Sequence, residues 1–222
     1  MLYYFIKRLL DIIVSLLTIL ILIPIFIPII IILKFSAEGE VFYVQERVGY
    51  KNSKFKIFKF ATMLKNSLNM GMGSITLTDD FRVTKFGKTL RKTKINELPQ
   101  LFNILIGDIS LVGPRPILES DWNLYSENIK LKIYDVKPGL TGIGSIMFRD
   151  EEAIMSSVEN MDLHIYYEKF IAPYKGELEM WYQEHRSLYL DFQLILITVW
   201  VVIFPETTLH EKLFKNLPKR KF

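Results

Sequence analysis

Residues 91–116 read RKTKINELPQLFNILIGDISLVGPRP, a basic lead-in, an Asn96-Glu97 pair, an apolar segment and an arginine framed by two prolines. Asn96 has the short polar side chain of a helix N-cap. Glu97 would then lie in the first turn, where a carboxylate suits the positive end of the helix dipole. Pro99 is tolerated that early because first-turn N–H groups lack intrahelical acceptors. Leu98, Leu101, Phe102 and Leu105 form one apolar face at i, i+3, i+4 and i+7, and Gly107 ends the helix. In Gly113-Pro114-Arg115-Pro116, each residue before a proline is driven towards extended geometry, which would hold Arg115 outward on a stiff loop. A helix start, a carboxylate and a presented guanidinium suit a phosphate-bearing ligand.

The rest of the chain narrows the setting. Its 222 residues amount to one domain with an appendage, half of them are hydrophobic, and the formal net charge is +4. A pI near 9.0 and a mean hydropathy of +0.22 fit an anionic partner and a chain in contact with lipid. The absence of cysteine excludes disulfides, thiolate chemistry and Cys-based metal sites. Residues 12–33 carry no charge and are long enough for a bilayer core, which needs roughly 20 apolar residues. Pro24 and Pro28 interrupt that run, and an interior proline removes a hydrogen bond and kinks a helix. Lys7 and Arg8 precede it and Lys34 follows, so the positive-inside rule does not place the two ends on opposite sides. A re-entrant helix-break-helix satisfies both facts; a kinked transmembrane helix is the other reading. Lys7 and Arg8 would sit at lipid headgroups, each worth on the order of 1 kcal/mol near an anionic surface.

Residues 41–60 give a hairpin signal, with Lys54, Lys56 and Lys59 on a strand facing either phosphates or solvent. Residues 65–78, polar and containing Gly71 and Gly73, read as a mobile surface loop. Arg82, Lys85, Lys88, Arg91, Lys92 and Lys94 make the most basic part of the chain. No helix-turn-helix, zinc finger or RNA-binding signature accompanies them, so no nucleic acid partner is expected. Residues 117–133 read as one amphipathic helix. Residues 194–204 are apolar but too short to span, with Pro205 as the stop, and should pack on the membrane surface or beneath the body. The basic tail from Lys215 to Phe222 reads as loosely ordered.

The stretch from Leu90 to Pro116 closely resembles the signature LRKTxxDELPQLxNVLxGDMSLVGPRP of the bacterial sugar transferases that are monotopic polyprenyl-phosphate phosphoglycosyl transferases. Residues 42–63 resemble the FYxQxRVGxxGKxFxIxKFRTM element, with Ala61 where an arginine is usual and Lys59 retained. Residues 136–142 match a KPGxTG turn, and residues 187–202 resemble a SLxxDxxLIxxT helix. The resemblance implies an α+β, mainly helical fold. Residues 1–36 would form a re-entrant membrane element, 37–210 a cytoplasmic transferase domain with a small hairpin and interfacial amphipathic helices, and 211–222 a basic tail. It implies transfer of a phosphosugar from a UDP-sugar to polyprenyl phosphate at the cytoplasmic face of a bacterial inner membrane, with Mg2+ neutralising the diphosphate. The family's catalytic Asp-Glu dyad stands here as Asn96-Glu97. Glu97 would then supply the carboxylate, as nucleophile or as base, and would hold the metal with Asp108. Arg115, Arg91, Lys59, Arg82 and Arg149 are the expected phosphate-binding cations, Arg149 standing in for a loop arginine in residues 143–155 that otherwise depart from the family. A non-catalytic scaffold binding polyprenyl phosphate or a nucleotide sugar is the alternative. A homo-oligomer or a complex with other glycan-assembly enzymes stays open.

Overall fold

The computed structural model describes residues 2–36, 38–204, 207–214 and 216–222. Helix α1 (Leu2–Phe35) leads into a hairpin of β1 (Phe42–Val48) and β2 (Lys54–Phe60). Next come α2 (Lys85–Lys92), α3 (Gln100–Ile106), β3 (Ser110–Val112), α4 (Glu119–Asn123), α5 (Glu127–Lys130) and β4 (Gly139–Thr141). Helices α6 (Ile143–Met147), α7 (Glu151–Ser156), α8 (Leu163–Tyr166), α9 (Ala172–His185), α10 (Leu188–Ile203) and α11 (Leu209–Leu213) follow. The α+β, mainly helical class is borne out. Pro205 and Lys215, read from sequence as a stop and the start of the tail, lie outside the described residues.

Helix α1 does not break at its prolines. Helical structure runs through Pro24 and Pro28, although neither can donate to the carbonyl four residues earlier. Contacts with the rest of the chain support it at both ends and in the middle. Asp11, Ser15, Ile19, Phe26, Ile29 and Leu33 are its buried residues, a single stripe at intervals of three, four or seven. Ile19 packs with Leu101, Ile104 and Ile109, while Phe26, Ile29 and Leu33 pack with Phe60 and Leu90. Asp11 accepts from Ser110 Oγ at 3.0 Å and from the Leu111 N–H at 2.9 Å. The helix is therefore docked lengthwise on the body.

The two basic residues before the apolar run are not free for headgroups. Lys7 Nζ lies 2.6 Å from Asp191 Oδ2, which also accepts from Tyr3 Oη at 2.9 Å, while Asp191 Oδ1 accepts from Tyr182 Oη at 2.7 Å. Arg8 donates to the carbonyls of Ile104 and Leu105 at 2.6 and 2.8 Å, satisfying the open C-terminal end of α3. Asp191 thus latches α1 onto α9 and α10. Asp191→Asn keeps the shape but leaves Lys7 without its counter-ion. It is expected to cost about 2 kcal/mol, less than a fully buried pair because Lys7 can swing towards solvent. A thermal melt in a bilayer mimic should move down by several degrees; an unchanged melt would remove the latch from the account.

The hairpin is antiparallel with Tyr43 opposite Lys59 and Glu46 opposite Lys56. Because strand side chains alternate with period two, Lys59 points to the opposite face from Lys54 and Lys56. Lys54 pairs with Glu46 and Glu119 on the outside. Lys59 faces inward. Strands β3 and β4 pair in parallel, Ser110 with Gly139 and Val112 with Thr141. There Gly113 and Gly139 cross at backbone contact, since a Cβ on Gly139 would collide with Gly113 N. This is what the GPRP and KPGxTG motifs share: they are the two sides of one crossing.

Residues 65–78 are not a free loop, and Arg82 is the reason. Its side chain is 1% exposed. Nη1 donates to the carbonyls of Ser67, Met70 and Gly73, Nη2 to that of Ile75, and Nε and Nη2 to Asp80. Thr84 caps α2 by accepting from the Gly87 N–H. The segment Asp80-Phe81-Arg82-Val83-Thr84 is thus a fold device, and Arg82 is no phosphate ligand. Residues 117–133 form two short helices rather than one, Leu124–Ser126 breaking between them. The described end of the chain also packs. Tyr174 donates to Pro218 O at 2.9 Å, Arg220 donates to Met147 O at 2.9 Å, and the Phe222 ring meets Tyr166, Phe170 and Tyr174.

Candidate active site

The stretch around Asn96 differs locally from the sequence expectation. Ile95–Glu97 is a 3-10 turn, Pro99 holds the N-cap position of α3, and Asn96 caps nothing. Helix α3 buries Leu101 and Ile104 with Gln100 and Asn103, leaving Phe102 outside. Gly107 does end the helix, at φ +100°. The turn delivers Asn96 and Glu97 to the wall of a cleft of about 1080 Å³.

At its centre Glu97 Oε1 accepts from Arg115 Nη2 at 3.0 Å and lies 3.4 Å from Lys59 Nζ. Arg115 is not held outward by its prolines; its guanidinium turns in, where Nη1 also reaches Ser145 Oγ at 3.2 Å. Burial alone would raise the Glu97 pKa. The charges of Arg115, Lys59 and Lys94 outweigh it and hold the carboxyl well below the usual range. Burial pulls Lys59 down to about 8, with Glu97 opposing. Glu97 is therefore an ionised carboxylate with little basicity. It suits attack or ligation rather than proton abstraction.

The remaining predicted residues divide. Arg91 lines the cleft and pairs with Glu152. Arg149 lines it with Nη1 buried and unpartnered. Asp108 does not line it. It lies beyond the far end of α3, accepting from Asn103 Nδ2 at 3.0 Å, and cannot share a metal with Glu97 at the near end. Sequence reasoning missed Arg47, which shares the inner face of the hairpin with Tyr43 and Lys59. It also missed Lys175 and Glu179 on α9. Their signal was charge on a buried helical stripe shared with Ile171, Leu178 and Tyr182, a placement polar residues rarely take without a task.

Five buried side-chain polar atoms lack a partner among the described residues. Four of them, on Arg47, Asn96, Arg149 and Glu179, belong to this cleft. Buried polar atoms are otherwise nearly always satisfied, so the cluster marks a surface shaped for a polar ligand. No group of three or more His, Asp or Glu that could hold a metal occurs among the described residues. Mg2+, however, is characteristically bound by one or two carboxylates plus substrate phosphates. The Glu97 carboxylate is one such group, and the orphaned Asn96 Oδ1 lines the same cleft.

The cleft also has an apolar side. Ile195, Val199, Val202 and Ile203 of α10 line it, and further along the stripe that Val199 and Ile203 occupy, Tyr189, Phe192 and Leu196 are exposed. Helix α1, apolar enough for a membrane, exposes its undocked face as well.

Comparison with known proteins gives the same direction. The chain is 31% identical over 203 residues to a UDP-N-acetylgalactosamine-undecaprenyl-phosphate N-acetylgalactosaminephosphotransferase of Aeromonas hydrophila, covering 90% of this chain and 44% of that protein. It is 36% identical to the uncharacterized sugar transferase EpsL of Bacillus subtilis, covering 79% and 76%. It is 36% identical to a UDP-glucose:undecaprenyl-phosphate glucose-1-phosphate transferase of Klebsiella pneumoniae, covering 87% and 39%. The chain thus spans less than half of two of these relatives and about three quarters of the third. The bacterial sugar transferase profile matches residues 2–205, and the chain belongs to that family.

Proposed function

We propose that the chain transfers a phosphosugar from a UDP-sugar to polyprenyl phosphate at the cytoplasmic face of a bacterial inner membrane, initiating a membrane-bound glycan. The observation that carries this reading is the composition of one cleft. Ionised Glu97 among Arg115, Lys59 and Arg91 lines it, and α10, with its exposed apolar residues, forms its apolar wall. A substrate with a phosphate head and a hydrocarbon tail matches both parts. Two of the relatives are named for undecaprenyl phosphate and a UDP-sugar, which supports the same pair of substrates.

In this reading Arg115 and Lys59 bind the diphosphate and withdraw charge from it. Arg47 and Arg149 extend the cationic surface towards the phosphates. Both ion pairs of Glu97 use Oε1, so Oε2 is the oxygen presented to the β-phosphorus. Bound Mg2+, held by Glu97 and Asn96 Oδ1, would supply further neutralisation of the diphosphate. Asn96 is neutral and cannot be the nucleophile, which leaves that task to Glu97. The test is release of UMP by the purified protein, given Mg2+, polyprenyl phosphate and a panel of UDP-sugars. Asn96→Asp on a silent wild type would separate an intact site lacking its nucleophile from a cleft built only to bind.

The docked stripe on α1 supports a monotopic placement. A helix held lengthwise on the body, from Asp11 to Leu33, keeps both ends on the body's side of the membrane. With no native cysteine, Leu2→Cys and Leu131→Cys report cleanly, both positions being exposed. In intact cells both should resist a membrane-impermeant thiol reagent. Labelling of Leu2→Cys alone would mean a true span.

A further inference from the structure

Seven carboxylates line the cleft, and five have a cation within salt-bridge distance: Asp79, Asp80, Glu97, Glu151 and Glu152. Asp121 and Glu179 have none among the described residues, and of these two only Glu179 is fully buried, at 3% exposure. Its Oε1 accepts from the Arg115 N–H at 3.2 Å, while Oε2 is buried without a partner. The position is built for this side chain. Gly144 faces Oε1 so closely that any Cβ there would collide with it. A buried carboxyl with one hydrogen bond and no counter-ion holds its proton well above the usual carboxylate range, because ionisation would strand a charge in a poorly solvated wall.

We propose that Glu179 is the proton carrier of the reaction, giving a proton to the departing nucleotide phosphate and taking one from the incoming polyprenyl phosphate. The inference rests on the phosphosugar-transfer reading above. In the first half, Glu97 Oε2 bonds to the β-phosphorus and the bond from that phosphorus to the bridging oxygen breaks. The electron pair stays on that oxygen, which receives the proton from Glu179 and leaves as UMP. In the second half, the acceptor enters with one proton on its phosphate. That proton passes to the Glu179 carboxylate as the phosphate oxygen bonds to phosphorus and the bond to Glu97 breaks. Glu97 returns ionised and Glu179 protonated, so atoms and charge balance over the cycle.

Arg115 joins the two carboxyls. Its backbone N–H holds Glu179 while its guanidinium holds Glu97. The two groups are driven apart in acidity, which is the arrangement that separates an anionic from a proton-bearing carboxyl in one site. Burial raises Glu179 to about 7, with the Arg115 N–H, the Arg115 charge and Lys175 opposing. The facing groups are Arg115 from the loop after β3, Tyr125 and Tyr134 from either side of α5, and Lys175 from its own helix. Helix α6 brings only Gly144 and its uncharged neighbours.

The test compares wild type, Glu179→Gln and Glu179→Asp. Glu179→Gln is nearly isosteric and should fold, which circular dichroism checks. Infrared spectroscopy of the wild type should show a protonated carboxyl band that fades as pH rises through about 7 and is missing in Glu179→Gln. UMP release should fall on the order of 10²-fold in Glu179→Gln, lose its dependence on pH around neutrality, and recover in part in Glu179→Asp. A wild type that releases no UMP overturns the transferase reading and this proposal with it. Wild-type release that Glu179→Gln leaves unchanged in rate and pH profile overturns the proposal alone. So does the absence of the carboxyl band.

Discussion

Glu97→Gln is expected to lower UMP release from a UDP-sugar by at least about 10³-fold, with fold and membrane insertion unchanged. The amide keeps the size of the side chain but loses the anionic oxygen that attacks phosphorus. It also leaves Arg115 and Lys59, at 3.0 and 3.4 Å, without the charge they share. Two cations then crowd one wall, and ligand phosphates become their best remaining partners. Binding of UMP or a UDP-sugar should therefore survive or tighten while turnover disappears. That divergence separates loss of chemistry from loss of the site, because a disrupted cleft would lose both. A variant that kept wild-type turnover would remove Glu97 from the mechanism.

Arg82→Leu is expected to be the most destabilising single change away from the cleft centre, at about 4 kcal/mol or more. It strands the carbonyls of Gly73 and Ile75, takes from those of Ser67 and Met70 their second hydrogen bond, and leaves Asp80 without its cation. Asp80 is held below the usual carboxylate range chiefly by its hydrogen bonds from Arg82, so the loss falls on both partners. Residues 64–80 line one side of the cleft, and their collapse would open it. Limited proteolysis should cut this segment in Arg82→Leu and spare it in the wild type. Equal resistance and an unchanged melt would show that the segment is held by something else.

The two residues illustrate what the sequence made legible. Local pattern and motif gave the hairpin, the helix end at Gly107 and the apolar N-terminal helix, since each depends on neighbours in the chain. Glu97 and Arg115 were both singled out, but their pairing was not, because it arises from a 3-10 turn that spacing alone does not distinguish from a helix start. Arg82 was read as a ligand from its charge and from the resemblance. Only the fold shows the four carbonyls that surround it. Lys7 and Arg8 were assigned to headgroups from their charge, whereas the body supplies Asp191 and the end of α3 as closer partners. Asp108 failed as a metal ligand because sequence proximity to Glu97 becomes separation once α3 stands between them. Glu179 went unread because its contact with Arg115 spans 64 positions.

The central claim is that the site works through Glu97 although an asparagine stands beside it. The most direct measurement mixes the purified wild type with UDP-sugars and Mg2+, first without and then with polyprenyl phosphate, and follows UMP and the intact protein mass. Without acceptor, UMP should appear in an amount stoichiometric with protein. The protein should gain the mass of one phosphosugar, carried on the peptide containing Glu97 and discharged when polyprenyl phosphate is added. UMP release from no donor, or an adduct on any residue other than Glu97, would contradict the account.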